Sequence, residues 1–371
     1  MKRFSVGVTS VALPALAALF SLGAGTFDAR LARAQSSSPA TWSFAVSGDS
    51  RNCGDVVMPA IAAGVKAKGA SFYWHLGDFR AIYTFDEDIQ HQPEHLHQPL
   101  TVSGYLSSAW DDFIQNQIVP FSPVPVYLGI GNHDLIPPKT RPEYIQQFAD
   151  WLDTPVLQAQ RLRDDPRDHK VKTYFHWQKG GVDFISLDNA TDDQFDAAQM
   201  RWFSGVIERD SADPSIRTIV AGMHEALPES ISSNHSMDQS AQGIESGRAV
   251  YKVLLKAQDG AHKHIYVLAS HSHYFMDGIF KTDYWRTNGG VLPGWIVGTA
   301  GAVRYALPPE KVNANAAETN VYGFLLATVE PAGTIHFAFQ ELTPADVPAP
   351  VTERYTPEFV QWCFQENSAA K

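Results

Sequence analysis

Apolar and polar positions along the chain fall into two alternating kinds of segment. Short apolar runs at residues 42–47, 71–76, 124–129, 218–221 and 264–269 have the length and β-branched or aromatic content of buried strands. Between them, residues 56–67, 104–116, 142–151 and 195–207 carry apolar side chains at helical spacing. Thr140 suits the cap of the third helix: Glu143 lies three residues on and Pro142 falls in the first turn, where a missing amide hydrogen costs little. Three further strands are expected at 295–300, 322–329 and 334–340, the last two as an antiparallel hairpin around Pro331-Ala332-Gly333. This alternation predicts an α/β fold in which two sheets pack together with helices outside.

Chemistry-bearing residues recur just past the strand-like runs. Asp49 follows residues 42–47, Asp78 follows 71–76, Asn132 follows 124–129, His224 follows 218–221, and His271 and His273 follow 264–269. The ends of strands are where open α/β sheets carry their sites. The inventory is carboxylate, amide oxygen and imidazole, which suits hard to borderline divalent metals. Two such ions about 3.5–4 Å apart need ligands delivered from several segments and one carboxylate to bridge them.

Gly48-Asp49, Gly77-Asp78, Gly131-Asn132-His133-Asp134, the isolated His224 and His271-Ser272-His273, in that order, resemble the blocks of the calcineurin-like metallophosphoesterase superfamily across residues 42–340. Leu187-Asp188-Asn189 and the segment 193–203 look like that family's next strand and helix. The resemblance implies a four-layer α/β/β/α sandwich of two mixed sheets. It implies that Asp78 bridges two metals, with Asn132, His224 and His271 on one and Asp49 and His273 on the other. It also implies that His133 assists the leaving group, with Asp134 orienting it. The cofactors implied are two divalent or mixed-valence ions of manganese, iron or zinc.

Two positions depart from the family pattern. Its Asp-x-His is here Asp49-Ser50-Arg51, so a usual ligand is replaced by a cation that cannot coordinate. Asn52, Cys53, His75 or a histidine among His91, His95 and His97 are candidates to fill the gap; the alternatives are a weakly bound or absent metal. Arg51 is also a candidate bidentate donor to a phosphate or carboxylate, and so a candidate catalytic residue. Ser270 replaces the family's glycine, which removes no ligand.

Met1-Lys2-Arg3, a largely apolar stretch to Gly25 and Ala32-Arg33-Ala34 read as a secretory signal peptide over residues 1–34, followed by a polar spacer over 35–41. The competing reading is a retained membrane anchor. A secreted or periplasmic location follows, with the catalytic domain over 42–343, a C-terminal tail over 344–371 and no membrane span in the mature chain. Cys53 and Cys363 are the only cysteines, and an oxidising compartment permits a disulfide between them or leaves two free thiols. The formal net charge of -11, without a lysine- or arginine-rich stripe, argues against duplex nucleic acid as a partner. A small phosphorylated substrate remains compatible, because bound metals set the local field.

Residues 83–100, 137–172, 229–247 and 304–320 are expected as rim insertions that select the substrate. The first holds Asp86, Glu87, Asp88, His91, His95 and His97; Tyr274 and Phe275 are expected either to stack on a base or to pack the sheet. The activity expected is metal-dependent phosphoester hydrolysis by a metal-activated hydroxide, with monoesters the first choice. The alternatives are a phosphodiesterase or nucleotidase, or a secreted metal-dependent binding protein without turnover.

Overall fold

The computed structural model describes residues 40–95, 97–191, 194–232 and 235–369. The expected signal peptide and most of the spacer lie outside the described residues. Twelve strands are described: β1 (Trp42–Ser47), β2 (Tyr73–His75), β3 (Val126–Leu128), β4 (Phe175–Lys179), β5 (Val182–Ser186), β6 (Thr218–Gly222), β7 (His264–Ala269), β8 (Phe275–Asp277), β9 (Gly294–Val297), β10 (Ala316–Glu318), β11 (Tyr322–Val329) and β12 (Ile335–Leu342). They form a five-stranded sheet, β12-β11-β1-β2-β3, and a seven-stranded sheet, β10-β8-β9-β7-β6-β5-β4. Both are mixed: β1, β2 and β3 run parallel, as do β5, β6, β7 and β9, and antiparallel strands flank them.

The period of two along each strand sorts side chains into layers. On β1, Phe44 and Val46 face the second sheet and join Trp74, Trp177, Phe184, Leu268 and Val297 in the inter-sheet core. Trp177 is the centre of that layer, stacked on Tyr127 at 3.9 Å and meeting Trp74 edge-on at 5.1 Å between ring centroids. Ala45 faces the other way, into a core shared with helix Gly54–Ala67 and with Phe359 and Val360. The outer face of the larger sheet, including Ile219, Ala221 and Val267, packs on helices Ala197–Ala212 and Ala241–Ala261. The result is a four-layer α/β/β/α sandwich of two mixed sheets.

The β11–β12 hairpin closes in register, Val329 opposite Ile335, around the expected turn. Thr140 accepts from the Glu143 amide at the start of helix Arg141–Gln147, at 3.4 Å. The four expected rim segments are each partly helical: residues 83–100 contain Glu87–Gln90, residues 304–320 contain a 3-10 turn at Pro309–Asn313, and the helix expected at 142–151 is present within 137–172. Residues 137–172 contain Arg141–Gln147, Ala149–Leu152 and Pro155–Asp164, and residues 229–247 run into the first turns of Ala241–Ala261. Glycines 243, 247 and 260 interrupt the apolar period of that last helix, which hid it. Gly247 is needed there, because a Cβ would fall 2.3 Å from Pro228. The segment expected as a tail forms helices Ala349–Tyr355 and Pro357–Gln365, and a Cys53–Cys363 disulfide fixes the second beside the start of helix Gly54–Ala67. Among the described residues no helix is long and apolar enough to cross a membrane.

Candidate metal centre

The ends of β1, β2, β3, β6 and β7 meet at one edge of the sandwich, and their turns are in tight contact. Asp49, Asp78 and His271 have φ of 60°, 62° and 62°, a left-handed conformation uncommon for residues with side chains. Gly77 has φ of 102°, and a Cβ there would fall 2.4 Å from the Gly131 nitrogen. Gly131 is required by close approach alone, since a Cβ would lie 2.2 Å from Asp78 Oδ1.

Three side chains converge on His224 Nε2. Asn132 Oδ1 lies at 3.0 Å, His271 Nδ1 at 3.1 Å and Asp78 Oδ1 at 3.3 Å. Asp78, His224 and His271 are the one acidic and imidazole triad among the described residues whose ligand atoms all lie within 4.8 Å of one another. The far side of the His224 ring explains its tautomer: Nδ1 donates to Leu76 O at 3.1 Å and lies 3.1 Å from Ser270 Oγ. The Nε2 lone pair is therefore aimed at the other three acceptors. Facing lone pairs repel unless positive charge lies among them, and tetrahedral metal sites with bonds of about 2.1 Å space their ligand atoms about 3.4 Å apart. In the free chain a proton on Nε2 supplies that charge, since burial opposes it but Asp78 and then Asp49 outweigh burial and lift the His224 pKa to about 10; a bound ion would replace this proton. Asn132, His224, His271 and Asp78 thus fit a divalent ion.

The turn that carries His224 is clamped from a neighbouring strand end. The Asn189 side-chain amide donates to Glu225 O at 2.9 Å and accepts from Glu225 N at 3.2 Å. Ser270 is more than a tolerated replacement for glycine: its hydroxyl also donates to Leu76 O at 3.3 Å, tying the His271 turn to β2.

The other half of the expected centre is arranged differently. Asp49 accepts from the His271 amide at 2.7 Å through Oδ2, and its Oδ1 lies 3.2 Å from His273 Nε2 without a hydrogen bond. Burial raises the Asp49 pKa, but His224 and His273 outweigh it and bring it down to about 2. Arg51 enters this half. Its Nη2 donates to His273 Nε2 at 3.0 Å, its Nη1 reaches His133 Nε2, and its Nε faces Asp78 Oδ2 at 3.8 Å. Both imidazoles are set to receive it, since His273 Nδ1 donates to Val303 O at 2.6 Å and His133 Nδ1 to Ala81 O at 2.7 Å.

The Asp134 carboxylate accepts from the amides of Gly131 (2.8 Å), Asp78 (3.0 Å) and Phe79 (3.1 Å), locking the β2 and β3 turns together. The His133 ring is oriented by the Ala81 carbonyl, and its Nε2 faces Arg51 Nη1. Burial lowers the His133 pKa, which keeps the ring neutral against the pull of Asp78.

The candidates for the missing ligand make their recorded contacts elsewhere, although His75 Nε2 has no hydrogen-bond partner. Asn52 donates to Glu87 and accepts from Val303 N, Cys53 is in the disulfide, and His75 accepts from the Gly77 amide between Phe79 and Phe113. His91 stacks on Phe359, His95 Nδ1 meets Gln98 O, and His97 is exposed. Asp86 and Asp88 are buried acceptors for the Asn52 and Asp55 amides, and Asp88 also pairs with Arg80, so these carboxylates build the loop and do not line a rim. Tyr274 donates to Ser232 and Phe275 stacks on Phe339, so both pack the core.

The rim holds three residues that the sequence did not single out. Tyr305 stacks on His273 at 4.0 Å, His235 stacks on Tyr305 at 5.1 Å, and the exposed Tyr83 leans on His133 at 5.1 Å. Each lies in a segment expected to form the rim, but nothing in its local pattern marked it.

No family profile and no curated protein matches the chain. Among solved structures it is similar to GAP50, the anchor in the inner membrane complex of Plasmodium, at 12% identity over 81% of this chain and 84% of that one, with a TM-score of 0.47. It is similar to a dimetal phosphatase from Danio rerio at 11% identity over 81% and 98%, with a TM-score of 0.49. It is also similar to PhoD, at 12% identity over 82% and 72%, with a TM-score of 0.48. At these values the likenesses decide nothing about chemistry, which rests on the site itself.

Proposed function

We propose that this chain is a metal-dependent phosphoester hydrolase of the calcineurin-like metallophosphoesterase type, acting on small phosphomonoesters outside the cytoplasm. The observation that carries the reading is the convergence of Asp78, Asn132, His224 and His271 on one point, beside a buried guanidinium. A divalent ion held there would polarise a phosphoryl oxygen and lower the pKa of a bound water. Arg51 supplies fixed positive charge next to it. Of its five N–H donors, those on His133 and His273 orient the group, and the remaining N–H of each terminal nitrogen is directed to a phosphate oxygen. His133 and His273 act by holding Arg51, and Asp134 acts by holding the turns that carry Asp78 and Asn132. Tyr83, Tyr305 and His235 offer ring faces to the ester group. Export is supported by the disulfide, which persists in oxidising compartments.

The test is turnover of p-nitrophenyl phosphate and bis(p-nitrophenyl) phosphate by the chain loaded in turn with manganese, zinc and iron. We expect monoester hydrolysis that falls at least about a hundredfold in Asp78→Asn and His224→Ala with the fold intact. Activity surviving both substitutions would remove the proposed centre, and a preference for the diester would select the phosphodiesterase reading. A secreted metal-dependent binding protein is the second reading, favoured by the engagement of Arg51 with two imidazoles. Metal binding without turnover on either ester would establish it.

A further inference from the structure

The two halves of the centre offer a cation different things. Around His224 Nε2, lone pairs of Asn132, His271 and Asp78 face one another at 3.0–3.3 Å. In the Asp49 and His273 half, the lone pair that a metal would need on His273 Nε2 already accepts from Arg51 Nη2, and the other ring nitrogen is committed to Val303 O. Asp49 Oδ1 and Asp78 Oδ2, the carboxylate oxygens expected to complete this half, are buried and lack hydrogen-bond partners. The nearest side-chain N–H to Asp78 Oδ2 is Arg51 Nε, at 3.8 Å. A guanidinium is not deprotonated in proteins, so the charge Arg51 places here is permanent. It is only 6% exposed, so the position is built into the site and is not a surface side chain lying across it. Among the described residues Asn52, Cys53, His75 and His91 make their contacts elsewhere, and the nearest loop histidine, His235, is stacked on Tyr305.

We infer that the Arg51 guanidinium stands in the place of a second metal, so that the centre is mononuclear. It would hold one exchangeable divalent ion on Asp78, Asn132, His224 and His271, and one cation tethered to the chain. This rests on the reading of those four residues as a metal site and deepens it. The residues of the second half do not fit an ion while Arg51 is present, because an ion there would have to take the His273 lone pair from a group that cannot give up its charge. Asp49 then serves as counter-charge to Arg51 and as the acceptor that fixes the His271 turn. A phosphate entering such a site would meet one metal and one planar donor, where a dinuclear centre offers two metals.

The experiment is a count of metal per chain by elemental analysis after loading with manganese, zinc or iron and removal of excess ion. The wild-type chain, Arg51→Lys and Arg51→His are compared, with melting curves to confirm that each is folded. We expect one ion in the wild type, one in Arg51→Lys, which keeps a cation in place, and two in Arg51→His, which frees His273 and adds an imidazole. If Arg51→His does not fold, Arg51→Ala takes its place, with an expected rise above one ion per chain. Two ions in the wild type would overturn the inference, and so would a count that stays at one in Arg51→His or in its replacement. The count does not depend on turnover. One ion without hydrolysis would end the hydrolase reading and leave this inference standing; two ions with hydrolysis would do the reverse.

Discussion

His224 owes its tautomer to two oxygens on the far side of its ring, Leu76 O and Ser270 Oγ. Outer partners of this kind fix ring orientation, and their loss typically lowers metal affinity 10- to 100-fold. Ser270→Ala leaves Leu76 O in place, so its effect belongs at the low end. Chelator competition should show metal affinity reduced roughly tenfold, with the stoichiometry unchanged. An unaltered affinity would mean that Leu76 O alone sets the tautomer. Arg51 shows the same dependence in reverse: each imidazole that receives it has its other nitrogen donated to a backbone carbonyl. Tautomers fixed by the backbone therefore decide which ring nitrogens face a metal and which face the guanidinium.

At the scale of elements, a second buried cluster ties helix Pro155–Asp164 to β4 and β5, away from the metal centre. His176 on β4 meets Asp183 at 2.7 Å and Asp164 at 2.5 Å, and Arg209 approaches Asp164 at 3.2 Å. Burial disfavours the charged imidazole, but the hydrogen bonds to Asp164 and Asp183 outweigh it and raise the His176 pKa to about 9. Asp210 is raised to about 8, first by burial and then by the charge of Asp183. A histidine whose folded pKa lies above its unfolded value adds stability that is complete below about pH 6.5 and lost as pH rises through about 9. The raised Asp210 acts in the same direction, because its ionisation in the folded state is disfavoured until about pH 8. Melting temperature should therefore fall between pH 6.5 and 9, by more in the wild type than in His176→Gln, which removes the titrating group. Parallel profiles for the two proteins would show that this cluster is not the source.

For the whole molecule, the Cys53–Cys363 disulfide joins positions 310 residues apart, from the turn after Arg51 to the last helix. Around it, the Tyr355 hydroxyl donates to Asp55 Oδ2 at 2.6 Å, and the buried Arg304 donates to Phe364 O, Asn367 O and Asn320 O. The C-terminal helices are thus held both covalently and by polar contacts. Closing so long a loop restricts the unfolded chain most, and the expected contribution is on the order of 3–5 kcal/mol. In urea, the Cys53→Ser, Cys363→Ser double variant should unfold at a clearly lower midpoint than the oxidised wild type. An equal midpoint would assign the attachment of these helices to the polar and apolar contacts alone.

The sequence by itself determined the ligand inventory and its placement. Apolar runs of strand length, each followed by a glycine turn or a lone polar residue, are local signals, and local sterics and period-two burial are enough to express them. That is why β1, β7, β11 and the β11–β12 turn coincide with their expected positions, and why Asp78, His224 and His271, each placed just past a strand-like run, come together in one cluster. Tertiary structure alone decided what those residues do to one another. Arg51 meets His133 across 82 positions and His273 across 222, and no local pattern encodes such a meeting. Asp134 could have turned toward His133 or toward the amides of the adjoining turns; the close packing of those turns, enforced at Gly77 and Gly131, decided for the amides. Helices Pro155–Asp164 and Ala241–Ala261 were missed because contacts with the sheets override interrupted or weak amphipathic patterns, whereas the helix expected at 142–151 is present. The placement of the Arg51 guanidinium beside Asp49 and His273 was likewise a tertiary outcome, set by which ring nitrogens the assembled backbone left facing it.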